Sequence, residues 1–109
     1  MKQTTNNNVH PYVIGDIVAV VFHYSMQFVN FYQVIGTTRT CIDCKPCQEI
    51  VVSDDGYGQN GRSIAGDMIE DGKTTRFRNI KTDGTFLVRG SWCHTGHKWQ
   101  GEEIDFYTD

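Results

Sequence analysis

Gly15-Asp-Ile-Val-Ala-Val-Val-Phe-His-Tyr-Ser-Met-Gln-Phe-Val-Asn-Phe-Tyr-Gln-Val-Ile-Gly36 is the stretch that decides how this chain folds. From Gly15-Asp16 to about His23 it is rich in valine, isoleucine and phenylalanine, the types that pack best on a pleated surface. Tyr24 to Gln27 reads as a turn or bulge, and Phe28 to Ile35 returns as a second strand. Along that strand Phe28, Asn30, Tyr32 and Val34 alternate with Val29, Phe31, Gln33 and Ile35. Both sets are largely apolar, which predicts a strand covered on both faces inside a closed or well-covered sheet.

Working outward, the pattern stays β. Gly36 is expected to break the second strand, and Thr38 to about Cys44 resumes β character. Pro46 has no N–H for a ladder, so pairing is expected to bend or end there. Glu49-Ile-Val-Val52 reads as a short strand, and Ser53 to Gly61 as a long glycine-rich loop. Ser63 to Gly72 is ambiguous, with room for one helical turn around Asp67 to Glu70. Asp83-Gly84 is the signal of a two-residue type I′ hairpin between Arg76–Lys81 and Thr85–Arg89, placing Ile80 opposite Leu87 and Arg78 opposite Arg89. A last short strand falls near Ile104. The expected fold is all-β, a small SH3-like barrel or compact β-sandwich of about five or six short strands. Residues 1–10, polar and Asn-rich, form an expected flexible tail, and residues 11–109 a single domain.

Composition narrows the class. With 109 residues, 39% hydrophobic and 21% charged, the chain supports one globular core. The longest apolar run, Ile17 to Phe22, is too short for a membrane helix, and the polar amino terminus lacks a signal-peptide core. The expected compartment is therefore cytoplasmic, where cysteines stay thiols or bind metal. A formal net charge of -3 gives no overall attraction to nucleic acid.

Cys41-Ile-Asp-Cys44-Lys-Pro-Cys47 and Cys93-His94-Thr-Gly-His97 carry the most chemistry. A Cys-x2-Cys turn can aim two sulfurs at one zinc, and Cys41, Cys44, Cys47 with Cys93, His94 or His97 would complete four ligands. The competing reading is that Cys41 and Cys44 lie on opposite faces of an extended strand and fill the core as small hydrophobes. A cysteine nucleophile needs a base in reach, and Cys93 and His94 point apart if they are neighbours on a strand. The Asp54-Asp55-Gly56 loop lacks the alternating acids of a calcium loop and reads as a solvated turn, with Tyr57 as a contact residue. Arg76, Arg78 and Arg89 make a basic hairpin face for phosphates or acidic side chains, or else pair internally. Glu102, Glu103 and Asp105 form an acidic terminal stretch suited to a basic protein partner.

Tyr24 followed by Asn30-Phe31-Tyr32-Gln33-Val34, then the Thr38-Arg-Thr40 strand, the basic Arg76 and Arg78, and the late Trp99-Gln-Gly101, resembles a family of small proteins encoded by phages and other mobile elements. Here His23 stands for that family's glycine, Met26-Gln27-Phe28 for its Gln-Thr-Asn, and Asn30 for its aspartate. The resemblance implies a mobile-element origin and a small β fold, and supplies no catalytic residues. Together with the absence of a catalytic signature it leads to an expected non-enzymatic accessory protein, an inhibitor or modulator of a host or defence protein. The alternative is a zinc-stabilised nucleic-acid-binding module using Arg76, Arg78 and Arg89. A cysteine enzyme is the third possibility.

Overall fold

A computed structural model describes residues 8–23, 26–57, 60–88 and 94–107. The described residues form eight strands: β1 Ile17–His23, β2 Gln27–Thr37, β3 Ile42–Asp54, β4 Asn60–Met68, β5 Thr75–Phe77, β6 Phe86–Leu87, β7 His94–Lys98 and β8 Ile104–Tyr107. All pairings are antiparallel, in the order β5-β3-β4-β8-β2-β1-β7-β6, with an added β3–β2 contact. That contact closes β2, β3, β4 and β8 into a small four-stranded barrel, to which the remaining strands are added. The all-β expectation holds, and the architecture is compatible with an SH3-like small barrel.

β1 and β2 form the hairpin that the opening stretch predicts, in register from Ile17↔Gln33 to His23↔Gln27. Each strand serves two cores, although Phe28 and Asn30 at the start of β2 are exposed. Val18 and Val20 of β1 and Val34 of β2 join Tyr12, Ile42, Cys44, Phe77, Ile80 and Phe86 in one buried cluster. Ala19, Val29 and Phe31 point the other way, into a second cluster with Cys47 and Ile104. Burying each large side chain of this kind contributes about 1.5–3 kcal/mol before the entropic cost of ordering it. Tyr12 is fully buried, and its hydroxyl donates to Gly84 O at 2.7 Å. The anticipated tail lies outside the described residues up to position 7. Its last residue, His10, is buried, with its imidazole 2.8 Å from Thr38 O.

Several local expectations need correction. β2 does not stop at Gly36; the ladder with β3 shifts between Val34 and Gly36 and continues to Thr37. At Pro46 the expectation holds for pairing with β2, whose ladder with β3 ends at Tyr32↔Pro46. β3 itself runs on, with the Pro46 carbonyl accepting from Ile69 N–H at 2.8 Å and β4 pairing from Cys47. The Gly72 position lies against the Pro46 ring, where a Cβ would collide. Residues 67 and 68 are strand, and no helix occurs among the described residues. The supposed long loop is short, because Asp54 pairs with Gly61.

The Asp83-Gly84 turn is not the two-residue type I′ form. Gly84 N–H donates to Lys81 O and Lys81 N–H to Thr85 O, each at 2.9 Å, enclosing the three residues Thr82, Asp83 and Gly84. Of these only Gly84 has a positive φ, 88°, the pattern of a three-residue hairpin loop ending in a left-handed glycine. The Asp83 carboxylate takes the Thr85 N–H at 3.0 Å and its hydroxyl at 2.7 Å, which supports the turn and lowers the carboxyl pKa. The flanking segments do not zip into one hairpin: β5 pairs with β3, β6 pairs with β7, and Ile80 N–H donates to Thr40 O at 3.0 Å. Ile80 is thus not set opposite Leu87, and the expected partner of Arg78, Arg89, lies outside the described residues.

Candidate functional site

β3 changes character half-way along its length. From Ile42 to Cys47 its burial alternates as a core strand should, but every residue from Gln48 to Asp54 is exposed. Over this outer part it pairs with β4 alone, while β4 pairs on its other side with β8 from Asn60 to Ser63, so β3 is the edge strand of an arm made with β4 and β8. The arm carries Ile50, Val51 and Val52, which are 45%, 49% and 41% exposed, and at its tip Tyr57, 83% exposed. Ile50 stands opposite Ile64, and the ladder shifts between Val51 and Ser53 because Val52 is an extra residue on β3. Such a bulge re-aims side chains, which fits two consecutive valines both standing half in water.

The tip is held by its own acids. Asp54 Oδ1 accepts from Gly56 N–H at 2.8 Å, and Asp55 Oδ1 accepts from Tyr57 N–H at 2.9 Å. Asp55 Oδ2 also takes Asn60 Nδ2 at 3.1 Å, while Gly56 has the left-handed φ of 87° that the turn requires. These are side-chain-to-backbone turn contacts that fix where Tyr57 is presented.

The arm is anchored by β8. Gly61 lies so close to Ser53 O and the Phe106 ring that no side chain fits there. Ser63 is fully buried and its hydroxyl donates to the Glu49 carboxylate at 2.5 Å. Alongside runs an open groove of about 700 Å³, lined by Asp54, Asp55, Asn60, Arg62, Asp105 and Tyr107 among others. Arg62 is already engaged there, with Asp105 at 3.2 Å and Glu103 at 3.8 Å. Gln27 Nε2 donates to Asp105 O at 2.6 Å and receives His23 Nδ1 within 2.9 Å of its Oε1, while Tyr107 OH lies 3.3 Å from His23 Nε2.

The cysteines take separate places. Cys44 is fully buried in the first cluster and Cys47 is buried in the second. Burial pushes the Cys44 thiol up to about 12, with Asp43 and Cys47 adding to the shift, and burial followed by Asp67 raises that of Cys47. Cys41 is partly exposed, and the Thr40 hydroxyl, 3.6 Å from its sulfur, lowers its pKa, helped by Thr38, the Asn79 backbone and Arg78. His97 on β7 meets Glu102 at 3.0 Å. Cys93 lies outside the described residues. Among the described residues no three His, Cys, Asp or Glu side chains come together in a metal-holding group.

The basic face is also dispersed. Arg76 clasps Asp43 through Nε at 2.7 Å and Nη2 at 3.0 Å, a bidentate pair that lowers the Asp43 carboxyl pKa. Arg78 is exposed beyond β5. Of the acidic residues, Glu103 and Asp105 share Arg62, while Glu102 accepts from Gln100 N–H at 2.8 Å and meets His97. Burial opposes ionisation of Glu102, but the backbone N–H groups of Gln100 and Glu102 and the His97 contact together hold its carboxyl low. Asp105 lines the groove together with Asp54 and Asp55 of the tip, whereas Arg76 belongs to β5, paired on the inner part of β3.

Ile50, Val51 and Val52 are the surface residues that sequence reasoning missed. Their signal was present as an apolar triplet bounded by Glu49 and Ser53-Asp54-Asp55, but three β-branched residues read equally as a buried strand. Comparison with known proteins found no matching family model, curated protein or solved structure.

Proposed function

We propose that this chain acts by binding another protein rather than by catalysis, and that the outer β3–β4 arm is its contact surface. In this reading it is an accessory protein of a phage or other mobile element that inhibits or modulates a host or defence protein. The observation that carries the proposal is the exposure of Ile50, Val51 and Val52 together on one projecting strand, with Tyr57 at the tip. Single exposed apolar residues need no explanation, but three consecutive exposed β-branched residues on an edge strand favour a strand that is covered in use. An aromatic presented on a tied turn is the kind of side chain that anchors a protein interface. The internal pairing of Arg76 and the acids around the arm favour a protein over a nucleic-acid partner.

The test is affinity capture from lysate of the cells in which the protein is naturally made, comparing wild type with Val51→Lys/Val52→Lys and with Tyr57→Ala. The expected result is a discrete protein retained by wild type in near-stoichiometric amount and lost from variants that melt like wild type. Equal retention by all three proteins would remove the arm from the reading. DNA or RNA affinity that falls steeply with salt would replace protein by nucleic acid as the partner.

A further inference from the structure

The arm has a charge as well as an apolar surface. Glu49 and Asp54 are exposed on β3, Asp55 follows at the tip, and Glu103 and Asp105 lie across β4 on and beside β8. Against these five carboxylates stands Arg62, which Glu103 and Asp105 already share. Asp54, Asp55 and Asp105 line the groove beside the arm, so the acidity is concentrated along one path. The backbone offers a second feature. Gln48 to Asp54 pair with β4, and among the described residues no other strand pairs with this part of β3. An unpaired strand edge bearing β-branched side chains is a template for an added strand.

We infer that the arm receives an extended, cationic, β-branched segment of its partner, whose apolar residues cover Ile50, Val51 and Val52 while its lysines or arginines lie over Asp54 and Asp55. This rests on the protein-binding reading above and specifies its chemistry. Charge complementarity selects this occupant over a second copy, because two identical arms would bring their carboxylates together. It also selects against a phosphate backbone or an anionic lipid surface, which the same acids repel.

The experiment uses the whole protein and three fluorescein-labelled peptides of equal length: acetyl-(Lys-Val)4-amide, acetyl-(Glu-Val)4-amide and acetyl-(Lys-Ser)4-amide. Binding is followed by fluorescence anisotropy at 25 and 300 mM NaCl. The Lys-Val peptide should bind at least tenfold more tightly than either of the others and weaken at least fivefold at the higher salt. Asp54→Asn/Asp55→Asn keeps acceptor oxygens for Gly56 N–H and Tyr57 N–H while removing two charges, and should weaken the Lys-Val peptide at least fivefold. Val51→Lys/Val52→Lys should abolish its binding, with both variants checked for unchanged thermal unfolding.

Equal binding of the Glu-Val and Lys-Val peptides overturns the charge argument. Binding of Lys-Ser as tight as Lys-Val overturns the apolar one, and no binding by any peptide overturns the inference as a whole. A concentration-dependent dimer in sedimentation equilibrium that Val51→Lys/Val52→Lys abolishes would make a second copy the occupant and overturn it as well. In each of these cases the lysate capture, scored separately, still decides whether the chain binds a protein through this arm.

Discussion

Gly96 of β7 stands opposite Phe86 of β6, and the space its missing side chain leaves is where the Phe86 ring lies. That ring packs 4.9 Å from the ring of Phe77, which in turn meets Tyr32 at 5.1 Å. Glycine here joins the outermost strand pair to the aromatic centre of the first cluster. Gly96→Ala should therefore destabilise the fold by about 1–3 kcal/mol through overpacking. Adding Phe86→Leu should recover part of the loss, and a double-mutant cycle on urea unfolding checks the coupling. Additive costs would contradict the contact.

The Tyr12 hydroxyl joins the start of the described chain to the 81–85 turn through Gly84 O. Tyr12→Phe leaves that carbonyl without the bond and should cost about 1–2 kcal/mol. The near-ultraviolet circular dichroism should otherwise stay native. A loss below about 0.3 kcal/mol would mean that water replaces the hydroxyl freely.

Thiol reactivity should follow the three environments. Iodoacetamide near pH 7.5 should label Cys41 before Cys44 and Cys47, because its thiol is partly exposed and its pKa lowered by the Thr40 hydroxyl and its neighbours. Cys44 and Cys47 should label slowly, at a rate set by opening of the fold, and peptide mass spectrometry distinguishes the sites. Rapid labelling of Cys44 would contradict its burial. If zinc is supplied and Cys41, Cys44 and Cys47 become protected together, the metal reading of the cysteine run returns, and native mass spectrometry would count the ion.

Asp43 gives the acid limb a defined contributor. The carboxyl is lower in the folded protein than in the unfolded chain because Arg76 binds it, so its stabilisation is complete above the unfolded value, about 3.9. It is lost as pH falls from that value through the lower folded one. Asp43→Asn should cost under about 1 kcal/mol at pH 7, since both side chains are partly exposed. The same variant should unfold with a shallower pH dependence between about pH 4 and 2, as read by chemical denaturation at each pH.

The exposed valines of the arm should prove dispensable for folding. Val51→Thr/Val52→Thr keeps the β-branched shape and should change unfolding free energy by no more than about 0.5 kcal/mol. A larger loss would place these valines among the residues that stabilise the fold and weaken their role as a contact surface.

The β1–β2 hairpin was legible because two runs of β-formers surround a short break. The apolar character of both faces of β2 indicated double coverage, which holds at Val29, Phe31 and Val34 but not at Phe28 and Asn30, which are exposed. The arm was less legible. Ser53 to Gly61 has the composition of a loop, yet its ends pair because backbone hydrogen bonds need no apolar side chains. Pro46 does mark the end of the β2–β3 ladder, but the sequence did not show that β3 continues beyond it by pairing with β4 from Cys47. Asp83-Gly84 signalled a turn without fixing its length, which depends on whether the residue before glycine also takes positive φ. In the cysteine run the three-residue spacing that sets side chains on opposite faces of a strand applies to Cys44 and Cys47, which enter different clusters, whereas Cys41 lies just before β3.

β3 is one continuous strand from Ile42 in the first cluster, past Pro46 and through Cys47 in the second, out to Asp54. Swinging the outer end of β3 and β4 as a flap would require breaking the β4–β8 ladder from Asn60↔Tyr107 to Ser63↔Ile104. The arm is therefore a fixed prong, its shape set before any partner arrives. Little ordering cost then falls on this chain during docking. The conformational adjustment, and the slow step if there is one, belongs to the other molecule.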